Sequence, residues 1–200
     1  MDINRKTAFT TLLQIEKKGA YSNLALNENI ERSKADSPSF VRELTYGVLK
    51  NKYLLDYYLK AFVKKGYGKL KPEVLCLLRM GAYQLIFMDS VPTYAAVSET
   101  VDLARKFARG REGFINGVLR SLSRSLDELP EVPRDDFREY LGTKYSCEAW
   151  ISDLLIKAFG EEGAEEYLNA SNETPELYIR VNLLKNSPEE LMEELRGLGF

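Results

Sequence analysis

The segment 72–88 places Val74, Leu75, Leu77, Leu78, Ala82, Leu85 and Ile86 around most of a helix circumference instead of along one stripe. A helix of that kind has no face to show to water, so it belongs in the middle of a bundle. The neighbouring segments supply helices to surround it. Ala8, Phe9, Leu12, Leu13 and Ile15 recur at helical spacing over 4–18, and Gly19 follows as a C-terminal breaker. Leu24, Ala25 and Ile30 mark a shorter helix over 23–33. Ser37-Pro38 gives an N-cap and a proline at the first helical position, where a missing N–H costs nothing. The region that starts there carries Phe40, Val41, Leu44, Val48, Leu55, Leu59 and Phe62 as far as Lys64-Lys65-Gly66, with a break expected near Asn51. Ala96, Val97, Val101, Ala104 and Phe107 define a helix after Val91-Pro92-Thr93, closed by Arg109-Gly110-Arg111, and 114–123 forms another. No strand-like alternation occurs before residue 125, so about six helices in an all-α bundle are expected.

Leu129-Pro130-Glu131-Val132-Pro133 puts two prolines in five residues, and a domain boundary is expected there. Residues 135–141, 146–159 and 161–170 read as a second small helical subdomain, with Gly160 between the last two. The pattern then changes. Leu177-Tyr178-Ile179-Arg180-Val181-Asn182 is β-prone, and Ser187-Pro188-Glu189-Glu190 is close to a capping box. A strand followed by a helix opens an α/β unit, yet no second strand is in sight for 177–182. A lone strand leaves its backbone groups unmatched, so the segment reads as the start of a truncated α/β domain. The expected division is 1–127, 128–173 and 174–200.

The formal net charge of −2 hides an asymmetry. Residues 1–125 carry 21 Lys+Arg against 12 Asp+Glu, a balance of +9, and residues 126–200 carry 7 against 18, a balance of −11. Such a basic block points to a polyanion partner, with a merely soluble helical surface as the alternative. Histidine is absent, which removes the side chain that most often moves protons near neutral pH. Cys76 lies within Val74-Leu75-Cys76-Leu77-Leu78, where a buried thiol has a raised pKa and is inert. Cys147 stands in an unrelated context, so neither a disulfide framework nor a metal site is expected. No glycine-rich turn follows a strand and opens a helix, so no cofactor seat is expected in this chain. There is no basic-then-apolar leader and no apolar run near the ~20 residues that cross a bilayer, and the chain reads as cytoplasmic with no membrane partner. Gly81, inside the buried helix, costs ~1 kcal/mol relative to alanine and is expected to permit close approach of a neighbouring helix.

Five strings, in this order, resemble the N-terminal region of the RsmB (Sun) family of bacterial 16S rRNA cytosine-5 methyltransferases. They are Arg5-Lys6-Thr7-Ala8-Phe9, residues 19–27 from Gly-Ala-Tyr-Ser to Ala-Leu-Asn, residues 43–51 containing Thr45-Tyr46-Gly47-Val48-Leu49-Lys50-Asn51, Leu78-Arg79-Met80-Gly81-Ala82-Tyr83-Gln84-Leu85, and Phe114-Ile115-Asn116-Gly117-Val118-Leu119-Arg120. Residues 145–150 and Ile179-Arg180-Val181-Asn182 extend the match over essentially the whole chain. The resemblance implies a NusB-like RNA-binding bundle, then a helical linker, then the entry into an RRM-like part. It also implies 16S rRNA as partner, and S-adenosylmethionine together with a nucleophilic cysteine in a domain C-terminal to everything here. Cys147 follows Ser146, not the proline of that family's catalytic motif. By this reading the chain is a targeting module that is inactive alone. The Phe-x-Asn-Gly-Val-Leu string is shared with the antitermination factor NusB, which leaves open a module that binds leader RNA and a ribosomal protein; residues 126–200 speak against it.

RNA affinity comes from cations that neutralise phosphates and release counterions, so candidates must be basic and clustered. Arg5 and Lys6 open the first helix, where cations oppose the macrodipole; a partner or a tolerant frayed end explains them equally well. Lys50-Asn51-Lys52-Tyr53 combines cations with an amide and an aromatic, and Tyr53 has two readings, core packing and base stacking. Arg105, Lys106, Arg109 and Arg111 form the densest basic cluster, part of which helix-dipole pairing explains. Ile115, Val118, Leu119 and Leu122 must pack inward, which leaves Asn116 and Arg120 together on another face. The resemblance implies Phe114, Asn116 and Arg120 as RNA contacts. Lys17, Lys18, Lys64 and Lys65 read as solvated charges at helix ends.

Overall fold

The computed structural model describes residues 2–63, 65–173 and 178–199. They form α1 (Ile3–Lys18), α2 (Ser22–Ser33), α3 (Pro38–Lys50), α4 (Lys52–Phe62), α5 (Pro72–Phe87), α6 (Thr93–Phe107), α7 (Glu112–Ser123), α8 (Phe137–Lys144), α9 (Ala149–Asn172) and α10 (Pro188–Gly197). The described residues contain no strand, and none of their helices is long and apolar enough to cross a membrane. The chain divides into two compact units, Met1–Asn169 and Ala170–Phe200.

In the first unit α5 is the central helix that its apolar circumference demands. Residues 76–84 are all buried, and α5 packs against α1, α3, α4, α6 and α7. Leu77, Leu78 and Met80 meet a core that includes Phe9, Leu44, Leu55, Leu59, Leu103, Ile115, Leu119 and Leu122. Two glycines allow the close packing. A Cβ on Gly81 would lie 2.6 Å from Cδ1 of Leu119, and one on Gly47 of α3 would lie 2.0 Å from Cζ of Tyr83. The close approach expected at Gly81 is therefore present.

Local signals set the helix ends. The Asp2 carboxylate accepts the Arg5 N–H at 2.6 Å at the start of α1, and Gly19 ends it at φ 61°. Ser37 Oγ accepts the Phe40 N–H at 3.4 Å ahead of Pro38. The break near Asn51 separates α3 from α4, with the Asn51 amide donating to the Gly47 carbonyl at 2.9 Å.

Arg79 is a charge on the buried helix, 6% exposed, and its surroundings hold it. Its Nε and Nη2 donate to the two Asp56 oxygens at 2.7 and 2.8 Å, and its Nη1 donates to Glu16 at 3.1 Å. Burial opposes the charge, and the bonds and attraction from Asp56 outweigh it, so the guanidinium is held more firmly protonated than usual.

The helices after Pro133 have a small core of Tyr140, Leu141, Leu155, Ala164 and Leu168. They belong to the same unit as the bundle, and α8 packs on α4. Ser146 Oγ accepts the N–H groups of Tyr53 and Leu54 at 3.1 and 3.2 Å, which satisfies unpaired donors in the first turn of α4. Tyr53 donates to the Glu148 carboxylate, and Tyr57 donates to the Glu131 carbonyl at 2.7 Å. The helices expected on either side of Gly160 are both present within the span of α9, separated by Gly160, whose φ 73° and ψ −179° are not helical.

In the second unit the expected strand is not formed. Leu177 lies outside the described residues, and 178–182 adopt no regular structure. No described segment offers a ladder, and a strand without one would leave its N–H and C=O groups unmatched. The helix expected after it is present as α10, with both halves of the capping box made: Ser187 Oγ accepts the Glu190 N–H at 3.2 Å, and Glu190 accepts the Ser187 N–H at 3.0 Å. No residue of α10 is buried.

Opposite outcomes are expected from two glycine substitutions. Gly47→Ala should destabilise the fold by about 1–3 kcal/mol in urea melts, because the buried Tyr83 ring must move, and Tyr83→Leu should recover part of the loss. Gly117→Ala, which meets nothing within 4 Å, should stabilise it by up to ~1 kcal/mol.

Candidate nucleic-acid interface

Helices α6 and α7 pack side by side and leave an open groove of about 840 Å³ between them. Residues of α6 at helical three- and four-residue spacing line one wall: Tyr94, Val97, Ser98, Val101, Asp102 and Arg105. Asn116, Arg120 and Ser123 of α7 line the other. Their direction follows from the core, since Ile115, Val118, Leu119 and Leu122 are buried and leave Asn116 and Arg120 to the opposite face, as the spacing predicts.

Arg105, Lys106, Arg109, Arg111, Arg120 and Arg124 are all exposed on α6, on the α6–α7 connection or on α7 and its C-cap. Among the described residues only Arg105 of these six pairs with a carboxylate, that of Asp102. The Lys106 ammonium sits 5.6 Å from the centre of the Phe107 ring. Arg105 and Lys106 complement the C-terminal end of α6, whereas Arg111 stands at the N-cap of α7, where the helix dipole disfavours a cation.

The other expected contacts are placed differently. Arg5 is largely buried: its Nε donates to Gln84 at 2.7 Å, its guanidinium lies 5.0 Å from the centre of the Phe40 ring, and Asp2 pairs with it at 3.6 Å. Lys52 pairs with Glu16 at 3.2 Å, on the oxygen that also accepts from Arg79. Phe114 is half-buried against the main core. Lys6 lines a separate polar cleft with Arg32 between α1 and α2, and Lys50 is exposed in the last turn of α3. Lys17 pairs with Glu73, Lys18 and Lys65 are exposed, and Lys64 lies outside the described residues. The structure thus gathers Arg105, Asn116 and Arg120 in one groove and ties Arg5, Lys52 and Phe114 into the bundle.

Tyr94 escaped the sequence reading. It is 76% exposed at the groove rim, in the first turn of α6. Its signal was an aromatic residue off the stripe formed by Ala96, Val97, Ala104 and Phe107. Tyr53 is not a free stacking platform either, because its hydroxyl is bound to Glu148, which with burial pushes it up to about 12.

Burial pushes the Cys76 thiol up to about 12. Cys147 Sγ is half-buried and contacts Ser152 Oγ at 3.2 Å. No group of three metal-ligating side chains occurs among the described residues. They also contain no strand-to-helix turn of the kind whose N–H groups cradle a nucleoside cofactor.

Residues 2–124 match the model of the NusB family. This chain belongs to that family. Its later part, 148–200, matches the RsmF/B-like methyltransferase ferredoxin-like domain, a combination that goes beyond NusB alone. Over 98% of its length the chain is 35% identical to the probable ribosomal RNA small subunit methyltransferase B of Bacillus subtilis (strain 168) and 31% identical to the protein of the same name in Synechocystis sp.. It is 28% identical to ribosomal RNA small subunit methyltransferase B of Escherichia coli, again over 98% of its length. The chain spans 44–45% of the length of these relatives. The crystal structure of PH0851 shares the fold, with a TM-score of 0.62 at 20% identity over the whole of this chain and 45% of that one.

The two thiols of this NusB-family chain should behave differently. A disulfide reagent should label Cys147 in the native protein and reach Cys76 only on unfolding. The Cys76 proton is held in the folded state up to about 12 but is lost near the ordinary 9.0 on unfolding. Its contribution to stability is therefore complete below pH 9 and is lost as pH rises towards 12. Urea melts between pH 8 and 10 should show a decline that Cys76→Ala lessens and Cys147→Ala leaves, the remainder coming from tyrosines whose hydroxyls the fold also holds protonated above their ordinary 10.0.

Proposed function

We propose that this chain is the RNA-gripping, substrate-positioning part of an S-adenosylmethionine-dependent 16S rRNA cytosine-5 methyltransferase. Residues 1–127 hold the RNA, 128–173 form a helical link, and 174–200 enter the ferredoxin-like part. The cofactor and the reacting cysteine belong to parts of the longer protein outside this chain. One observation carries the reading: Arg105 and Arg120 line the groove that also presents Asn116, and Lys106, Arg109, Arg111 and Arg124 stand exposed on the same two helices and their connection with no carboxylate partner among the described residues. Phosphates of structured RNA are the ligands that such a rim attracts, and shape rather than sequence supplies most of the selectivity.

The proposed contact set is Arg105, Lys106, Arg109, Arg111, Asn116 and Arg120, with Lys6 and Lys50 as outlying phosphate contacts. Arg5 and Phe114 fall outside it because their side chains pack into the bundle, and Lys52 because it is paired with Glu16. An antitermination module is the weaker reading, since the match over 148–200 and the full-length similarity to rRNA methyltransferases give it no support.

A polarisation titration of this chain with a 16S rRNA hairpin should show affinity that falls steeply with salt. Replacing Arg109, Arg111 or Arg120 by alanine should each flatten the log–log salt slope by about 0.7–0.9. Lys17→Ala should not change it. Affinity indifferent to salt, or equal losses from all four variants, would contradict the reading.

A further inference from the structure

We infer that the α6–α7 groove is a pocket for one unpaired nucleotide of the bound RNA, selective for a base that carries an exocyclic amine. The inference rests on the RNA-binding reading and adds to it what the groove itself recognises. At about 840 Å³ the groove has the size of a small-molecule site, within the roughly 300–1,000 Å³ such sites occupy. Its floor is apolar, from Val97 and Val101, and its rim holds Tyr94, 76% exposed. An exposed aromatic ring beside an apolar floor offers a base two surfaces to lie against. The faces of bases stacked inside an A-form helix are covered by their neighbours, so a stacking ring of this kind serves only a nucleotide already turned out of the stack.

The polar groups match the rest of a nucleotide. Arg120 is exposed and has no carboxylate partner among the described residues, so it is the phosphate ligand. The Asn116 amide offers a donor and an acceptor to a base edge. Asp102 is an anion inside a site for a polyanion and needs its own explanation. Its Oδ1 holds Arg105, which leaves Oδ2 to accept from a ligand donor. The exocyclic amine of cytosine, adenine or guanine is such a donor, whereas uracil carries no amine and offers only its ring N3–H, flanked by two carbonyl oxygens that a carboxylate repels. Asp102 thus steadies Arg105 and selects the base.

The test uses this chain and four hairpins with one stem: fully paired, or carrying a single bulged A, C or U. Polarisation titrations should give tighter binding to the bulged A and C hairpins than to the paired or bulged U ones. Tyr94→Ala should lower affinity for the bulged A and C hairpins by roughly tenfold and leave the paired stem unchanged, and Tyr94→Phe should retain the preference. Asp102→Ala should erase the difference between the bulged C and bulged U hairpins; the ratio is the readout, because loss of the Arg105 partner changes the affinity of every hairpin alike. Tyr94 is exposed, so an unchanged melting temperature confirms that Tyr94→Ala folds. Equal binding of all four hairpins by the wild-type chain, unaffected by Tyr94→Ala, overturns the pocket and leaves RNA binding standing. Salt-independent binding, or no binding of any hairpin, overturns both.

Discussion

Helix α5 is buried without interruption over residues 76–84, and the first unit is arranged around that fact. Five helices must cover it, and two of the contacts are so close that only glycine fits, at Gly47 and Gly81. The same helix carries Arg79 into the interior, which draws Asp56 from α4 and Glu16 from α1 to it. Removing one partner of such a buried pair generally costs about 3–5 kcal/mol, because the remaining charge has no water to turn to. Packing and charge matching therefore bind the same helices together.

This arrangement sorts the basic residues. Arg5, Lys17, Lys52 and Arg79 all meet carboxylates on or near the helices that surround α5. The cations of α6, α7 and their connection lie outside that network, with the Arg105–Asp102 pair as the exception among the described residues. The helices of 137–169 add no comparable basic surface. Their own core is too small to stand alone, and Ser146, Glu148 and Glu131 attach them to α4.

The bundle was legible because its signals are local. Gly19, Ser37-Pro38, the Asn51 break and the capping box at Ser187 each act through a neighbour within a few residues. Asn116 and Arg120 were legible because the apolar spacing of α7 leaves them one direction. The contacts that the sequence did not reveal all involve distant partners. Lys52 meets Glu16, Arg5 meets Gln84 from 79 residues away, and Tyr53 meets Glu148 across 95. Composition cannot show which cations find such partners. The strand expected at 177–182 is the converse case: β-propensity was read correctly as preference, but preference without a ladder makes no strand among residues 178–182.

The central claim is that RNA lies on the face made by α6, α7 and their connection. Backbone amide chemical-shift mapping of the labelled chain, titrated with a 16S rRNA hairpin, tests it most directly. The account predicts that saturable shifts concentrate in residues 93–124, with smaller ones near Lys6 and Lys50 and little change around Lys17 and Glu73. Shifts centred on α1 and α4, or spread evenly over the bundle, would contradict it.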